Sequence, residues 1–479
     1  MSKLRKQYIN RVINNAIDQL DYSVYKDFHS QHEFIRKTIL DDSSLTKNEK
    51  AEAIKLRDRD YDREKLFYGS GKKRICENCS HECFATLYCE FCVQNHLKSK
   101  FSDWTSGNNK FDILIRKCQS ETLGPDNIIE WVPYNNLENI VYLLEGGFSK
   151  IYTAIWVCGK YQEWDSKNQQ LIRFGRHEVV LKELGNFKNV DRRWFEEVKS
   201  HLRISNKYSE IIPCYGLTRE PETGNYMLVM HKMNIDLRNY LQQNQLTWKE
   251  RFNITFLIIK ALSCIHKENS IHRDLHSGNI LYTRYNDSWY ISDLGFCGPA
   301  DKPLTSIYGN LPYIAPEVIN GKEYTYKSDI YSVAMLMWEI SSGHPPFNYY
   351  ENDYNLALKI INGMRPKIIA GTPLKYKKLM VQCWNADPLE RLDTTTLLKK
   401  IEEIKLYYQN NPNELSQPET EAKDDVIYIS TSKIFTSNIY EFKNLPKPRN
   451  AITDDIFISS NLHSEDQVEL EIPDDIDKL

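Results

Sequence analysis

The chain has no apolar run near twenty residues, and its mean hydropathy is −0.57. That excludes a transmembrane helix. No apolar h-region follows Met1-Ser2-Lys3-Leu4-Arg5, which argues against a secretory signal, and no Gly stands after Met1 for myristoylation. The compartment expected from these absences is the cytoplasm, with the nucleus as the alternative. Excess charge of one sign is missing too. The 62 Lys and Arg nearly balance 65 Asp and Glu, a net charge of −3 that argues against a nucleic-acid partner for the molecule as a whole. Internal repeats are absent. The 11 cysteines are odd in number, so reduced thiols are expected rather than a disulfide framework.

What is there is a globular composition, 41% hydrophobic and 27% charged, over 479 residues. That length suggests two to four folded units. Charge is graded along it. Residues 1–75 carry 17 Lys and Arg against 12 Asp and Glu, whereas residues 411–479 carry 6 against 15. The basic front and the acidic tail are candidate surfaces for protein partners or for each other.

Five regions follow from the pattern. Residues 1–70 read as helices: Tyr8, Val12, Ile13, Ile17 and Leu20 recur at helical spacing, and Thr46-Lys47-Asn48-Glu49 is a capping box. Their sparse apolar face suits a small bundle or helices that dock elsewhere. Residues 71–100 hold a Cys cluster. Residues 101–136 read as a linker with one helix around Phe111–Cys118, between turn signals at 106–109 and 124–126. From 137 to 405, short β-branched runs (137–144, 151–157, 179–184, 213–217, 226–230) give way to long helical ones, a two-lobed α+β architecture. Residues 406–479 lose periodicity and are expected to be disordered, with apolar patches only at 427–429 and 456–458 as candidate docking segments.

The sharpest chemistry lies in Ile271-His272-Arg273-Asp274-Leu275-His276-Ser277-Gly278-Asn279-Ile280-Leu281. A carboxylate five residues before an amide, between apolar ends, suits phosphoryl transfer. Asp274 would take or orient the proton of a substrate hydroxyl, and the Asn279 amide oxygen would hold Mg²⁺, a hard cation that prefers oxygen. Asp293-Leu294-Gly295 follows a strand-like Tyr290-Ile291-Ser292, and Asp293 would chelate Mg²⁺ on the ATP phosphates. Ala315-Pro316-Glu317 lies further on.

Together these segments resemble the catalytic signature set of eukaryotic protein kinases, over about residues 137–405. The resemblance implies a bilobal kinase fold, with a β-rich N-lobe and a helical C-lobe, that uses ATP, Mg²⁺ and a protein substrate. Leu144-Glu145-Gly146-Gly147-Phe148-Ser149-Lys150-Ile151 resembles the Gly-rich phosphate loop, although the family's first Gly is Leu144 here and its third is Ser149. Gly146, Gly147, Ser149 and Ile151 would face the nucleotide. In Val179-Val180-Leu181-Lys182 the lysine would contact the phosphates, paired with Glu197 or, less favoured, Glu196. Adenine would pack between Val180 and Leu281, with Met230 as gatekeeper and Met233 in the hinge. Asp329 resembles the residue that holds the catalytic loop, and Arg391 the partner of Glu317. Residues 158–178 form an insertion of no evident use.

Lys182, Asp274, Asn279 and Asp293 together favour an active enzyme over a pseudokinase scaffold or a zinc adaptor. Position 276 is His where Ser/Thr kinases usually carry Lys. The run Gly309-Asn310-Leu311-Pro312-Tyr313 resembles the tyrosine-kinase-like group, including large fungal families with an N-terminal Cys pair motif, and this favours Ser/Thr acceptors in signalling. Arg273 suggests control by a phosphate on Thr305, Ser306 or Tyr308. Finally, Cys76-Glu77-Asn78-Cys79 and Cys89-Glu90-Phe91-Cys92 are two knuckles nine residues apart, a pattern for structural Zn²⁺ on four thiolates, with Cys83, His81 and His96 as competing ligands. Basic residues flank the cluster, and docking of a protein or of another part of the chain is favoured there over nucleic acid.

Overall fold

In the computed structural model, the described residues are 4–21, 24–145, 149–184, 192–205, 207–295, 297–299, 307–411, 414 and 437–451. Three helices open the chain: α1 (Lys6–Asp18), α2 (Phe28–Asp41) and α3 (Lys47–Tyr68). Ile9, Val12, Ile13, Ala16, Leu20, Ile35, Ile39, Leu45 and Ala53 close a core of their own. Thr46 and Glu49 form the capping box that starts α3, and the Arg5 guanidinium reaches back to the same carboxylate at 2.8 Å.

The Cys segment follows as a short hairpin, β1 (Arg74–Ile75) with β2 (Glu82–Cys83), then α4 (Glu90–Ser99). It is fixed to α3 by a buried carboxylate: Asp62 accepts from the amides of Thr86 and Leu87, both at 2.8 Å, and pairs with Lys65 at 2.7 Å.

The stretch 101–136 is integral to the next unit, which corrects the expectation of a linker. Helix α5 (Asn109–Ser120) buries Phe111, Leu114, Ile115 and Cys118 against the N-lobe, and β3 (Glu130–Trp131) adds a parallel edge strand to its sheet. The edge fits because residue 216 is glycine, at φ +145°. Any Cβ there would meet the Glu130 carbonyl oxygen at 1.8 Å. That sheet has six strands in the order β3-β9-β10-β8-β5-β4, built from β4 (Leu137–Glu145), β5 (Lys150–Trp156), β8 (His177–Glu183), β9 (Cys214–Arg219) and β10 (Tyr226–His231). Helix α6 (Arg192–Ser205) covers one face with Val198 and Leu202.

The insertion between β5 and β8 is a hairpin, β6 (Tyr161–Asp165) with β7 (Gln170–Arg173). Its Trp164 is buried in the Cys-segment core, Lys55 of α3 meets Glu163 at 2.7 Å, and Arg173 grips the buried Glu130 at 2.6 Å. The insertion is thus the clamp between the N-terminal assembly and the sheet.

The C-lobe is helical, as the strand-then-helix pattern requires. A small sheet of β11 (Ile235–Asp236), β13 (Ile280–Thr283) and β14 (Ser288–Ile291) carries the catalytic loop, and β12 (Ser270–Ile271) pairs with β15 (Gly298–Pro299). Around them stand α7 (Leu237–Gln243), α8 (Trp248–Lys267), α9 (Pro316–Ile319), α10 (Tyr326–Ser342), α11 (Tyr354–Ile361), α12 (Leu374–Cys383) and α13 (Thr394–Asn410). Helix α10 is buried from Ser328 to Ser341, the expected central apolar helix. The N-terminal helices also reach this lobe: Asp18 pairs with Lys405 at 2.9 Å, and Asn14 donates to the carbonyls of Asn286 and Asp287.

The tail departs from the expectation of disorder throughout. Helix α13 runs to Asn410, and residues 437–451 lie against the C-lobe, where β17 (Asn438–Tyr440) pairs antiparallel with β16 (Ile307–Gly309). Residues 427–429 and 456–458 lie outside the described residues, as do Gly146, Gly147, Thr305 and Ser306.

One buried ion pair ties the C-lobe together. Arg391 meets Glu317 bidentately, 2.7 Å on each arm, with both side chains out of solvent. Replacing Arg391 with Ala strands a buried carboxylate, so we expect a loss of about 3–5 kcal/mol, checked by urea denaturation. An unchanged midpoint would show that the pair is not needed for stability.

Candidate active site

Strand alternation decides what enters the cleft. On β8, Val179 and Leu181 point into the outer apolar layer, so Val180 and Lys182 take the opposite face. Lys182 is only 7% exposed, and its Nζ lies 2.8 Å from Glu197 of α6 and 2.7 Å from Asp293. Burial alone would discharge the ammonium. The carboxylates of Asp293 and Glu197 outweigh it and raise its pKa above the ordinary lysine value. Asp293 is held in turn far below the usual carboxylate range: burial works against its charge, and Lys182 overcomes that. Glu197, not Glu196, is the partner; Glu196 pairs with Lys199 at 3.2 Å.

Asp293 sits at φ +53°, in the left-handed region, and Gly295 follows closely. A Cβ at 295 would stand 3.0 Å from Asp293 Oδ1 and 3.2 Å from the Glu197 carboxyl. His201, one turn beyond Glu197, accepts from the Leu294 amide at 3.2 Å, and burial holds its pKa down at about 3, so its ring is neutral. Sequence reading missed this histidine, although its i+4 spacing from Glu197 was visible.

The catalytic loop hangs on Asp329. Its carboxylate accepts from the amides of His272 at 2.8 Å and Arg273 at 3.0 Å, and pairs with His266 at 2.8 Å. Arg273 is at φ +70°, a strained bend that these two bonds hold. Asn279 Nδ2 donates to the Asp274 carbonyl at 2.8 Å, and the Asn279 carbonyl accepts from Ser292, so the two acidic loops are laced together. This leaves the Asn279 amide oxygen and the Asp293 carboxylate as an all-oxygen donor set, suited to Mg²⁺.

Asp274 is buried, and burial followed by the charge of Asp293 raises its pKa to about 7. The hydroxyl of Ser437, the Asn310 backbone and the Tyr308 phenol work against that rise. Tyr308 is itself buried, which sets it apart from an exposed phosphorylation site. His276 Nε2 lies 3.7 Å from Asp274 Oδ1, with its pKa pushed down to about 3 by burial and then by Arg238.

Met230 is buried in the cluster under the sheet, with Met233 and Leu281 packed against it, while Val180 pairs across to Met230 and to Thr153. Ile151 is opposite Lys182 on β5, and Ser149 precedes that strand. By register Ile151, Val180, Lys182 and Met230 thus lie on one face of the sheet, with Met233 and Leu281 beside Met230; Gly146 and Gly147 are not among the described residues.

Residues 137–401 match the family of protein tyrosine and serine/threonine kinases, more than half of the chain. The chain belongs to that family. A protein kinase domain implies ATP, Mg²⁺ and protein substrates. The domain is 29% identical over 241 residues to the dual specificity protein kinase zakA of Dictyostelium discoideum, covering 46% of this chain and 30% of that protein. It is 28% identical over 236 residues to mitogen-activated protein kinase kinase kinase 7 of Drosophila melanogaster, covering 47% and 34%. A dual serine/threonine and tyrosine protein kinase of Pimephales promelas is 28% identical over 228 residues, covering 45% and 25%. The matched stretch is about a third or less of each of these relatives.

The four knuckle cysteines of the N-terminal segment converge outside the kinase domain. Their sulfurs lie within 4.8 Å of one another, with Cys76–Cys92 at 3.8 Å and Cys79–Cys89 at 3.5 Å. No pair is bonded, and Asn78 donates to Cys92 Sγ. Burial opposes the Cys76 thiolate, but the amides of Cys79 and Asn78 prevail and hold its pKa down at about 6. Cys83 and Glu90 sit beside this group, whereas His81 turns its Nδ1 to the Cys79 carbonyl and His96 rests on Trp164. Among the described residues, no helix of the chain is long and apolar enough to cross a membrane.

The raised Asp274 carboxyl makes a prediction about stability. Between about pH 4 and pH 7 the folded protein keeps a proton that the unfolded chain has lost, so this group's contribution falls as pH rises through that window. Asp274→Asn removes the effect. Without metal or nucleotide, its Tm should gain on wild type by roughly 2–4 °C between pH 5 and pH 8, read by scanning calorimetry. A pH-independent difference would refute the assignment.

Proposed function

We propose that this chain is an active protein kinase that transfers the γ-phosphate of ATP to serine and threonine hydroxyls of proteins, in signalling. The observation that carries the reading is the Lys182 ammonium, gripped by Glu197 and Asp293 at 2.8 and 2.7 Å beside the buried Asp274. ATP supplies the phosphoryl group, and bound Mg²⁺ neutralises charge on it. In this reading Lys182 orients the phosphates, Asn279 and Asp293 hold the metal, and Asp274 takes the acceptor proton. Val180, Ile151, Met230, Met233 and Leu281 line the adenine site, with Ser149, Gly146 and Gly147 at the phosphate loop. The run Gly309-Asn310-Leu311-Pro312-Tyr313, similar to that of tyrosine-kinase-like kinases, supports serine or threonine over tyrosine.

The test is phosphate incorporation into a degenerate peptide library containing Ser, Thr and Tyr, with Asp274→Asn protein alongside. Wild type should label Ser and Thr, and the variant should be about 10²–10⁴-fold slower. No labelling above the variant would leave a pseudokinase scaffold, and labelling of Tyr alone would overturn the acceptor preference.

For the N-terminal segment, we infer a structural Zn²⁺ on Cys76, Cys79, Cys89 and Cys92. A tetrahedron with Zn–S of about 2.3 Å has S–S edges of about 3.8 Å, which the observed 3.5 and 3.8 Å approach closely. Metal analysis of the intact chain should find one zinc per molecule. Cys79→Ser with Cys89→Ser should lose the zinc and lower the thermal midpoint. A metal-free wild type, purified without chelator, would refute the site.

A further inference from the structure

Residues 437–451 stand outside the kinase fold yet occupy its substrate-facing surface. At their start, the Ser437 hydroxyl donates to Asp274 Oδ1 at 2.8 Å and lies 3.2 Å from His276 Nε2. The backbone then runs as β17 along β16, with Tyr440 opposite Ile307, Ile439 opposite Tyr308 and Asn438 opposite Gly309. Tyr440 stacks on Phe442 at 5.5 Å, and both rest on the C-lobe core with Leu445.

The far end is anchored as specifically as the start. Arg449 N donates to the Ile361 carbonyl at 2.8 Å, and Asn450 Oδ1 accepts from Ala386 N at 2.6 Å. Gly363, at φ +103°, makes room for this end, since a Cβ there would stand 2.5 Å from Asn450 O. The segment also has its own charge: Lys443, Lys447 and Arg449 against Glu441, within an otherwise acidic tail.

A strand that pairs with the segment leading to Ala315-Pro316-Glu317, and that delivers a serine hydroxyl to the catalytic carboxylate, is held as a peptide substrate would be. We propose that Ser437 is a phosphorylation site for the chain's own kinase domain, modified within the same molecule, and that residues 438–451 are the docking segment that aligns it. This rests on the reading of Asp274 as the base. The Ser437 Oγ–H bond breaks as its proton passes to Asp274, and Oγ bonds to the γ-phosphorus of ATP. The bond from that phosphorus to the β,γ-bridging oxygen breaks, and ADP leaves with the electron pair. The product carries about −1.5 to −2 charges at pH 7 beside Asp274 and Asp293, so repulsion releases the segment and frees the groove for other substrates.

The test uses the full chain with Mg²⁺ and ATP, with phosphate located by mass spectrometry. Label is expected on Ser437, at a rate per molecule independent of protein concentration and absent from Ser437→Ala. The variant Tyr440→Ala with Phe442→Ala should label Ser437 at least several-fold more slowly while labelling the peptide library faster. Without nucleotide, hydrogen exchange should show the ladder-bonded amides within 438–440 protected in wild type and exposed in that double variant. Library labelling without Ser437 labelling would overturn this inference and leave the kinase reading intact. Labelling of neither would overturn both. A rate that rises with protein concentration, or free exchange at 438–440 in wild type, would overturn the intramolecular alignment.

Discussion

A single buried ammonium organises the cleft. Lys182 is out of water on a central strand, where an unpaired charge would cost several kcal/mol, so it must keep two carboxylates from two other elements. Glu197 fixes α6 against the sheet, and Asp293 brings in the loop after β14. Each acid is tolerable in a buried site only because the lysine is there, and the lysine only because of them. The consequence is a site whose parts register against each other across both lobes.

The same logic of shared buried charge recurs around it. Asp329 bends the catalytic loop by accepting two successive amides, and Glu317 with Arg391 locks the base of the C-lobe. At the other edge, Glu130 with Arg173, Asp126 with Arg59 and Asp62 with Lys65 couple the β6–β7 hairpin, α3 and the Cys segment to the N-lobe sheet. The first two of these pairs join elements far apart in sequence, whereas Asp62 and Lys65 are neighbours on α3 that reach the Cys segment through the Thr86 and Leu87 amides; Glu130 and Asp126 come from the stretch that joins the Cys segment to the kinase domain. The N-terminal assembly therefore braces the N-lobe, while the segment 437–451 lies along β16 and sets Ser437 against Asp274. The N-terminal helices and the segment 437–451 both meet the kinase domain, on different faces.

Much of the site was legible because kinase chemistry is written in short local motifs. The spacing of Asp274 and Asn279, the strand before Asp293, and the alternation around Lys182 each encode local geometry, and the strand runs from 137 to 230 stood out by their β-branched residues. The capping box at Thr46 was readable for the same reason. Residues 101–136 misled, because β3 is two residues long and its pairing with β9 depends on a glycine some eighty-five positions away. The insertion at 158–178 had no readable purpose, since Trp164 and Arg173 find partners only in other regions. The strand at 438–440 is three residues in a polar, acidic tail, too short for any periodic signal.

The sequence alone determined the family, the lobes, the acidic and amide groups of the cleft, and a four-cysteine cluster, because each depends on residues a few positions apart whose spacing the backbone converts directly into direction. Tertiary structure alone decided that the insertion clamps the Cys segment and that Ser437 arrives at Asp274. Those outcomes depend on which distant surfaces bury one another, and a buried charge or an unpaired strand edge selects its partner only once the chain has brought the candidates together.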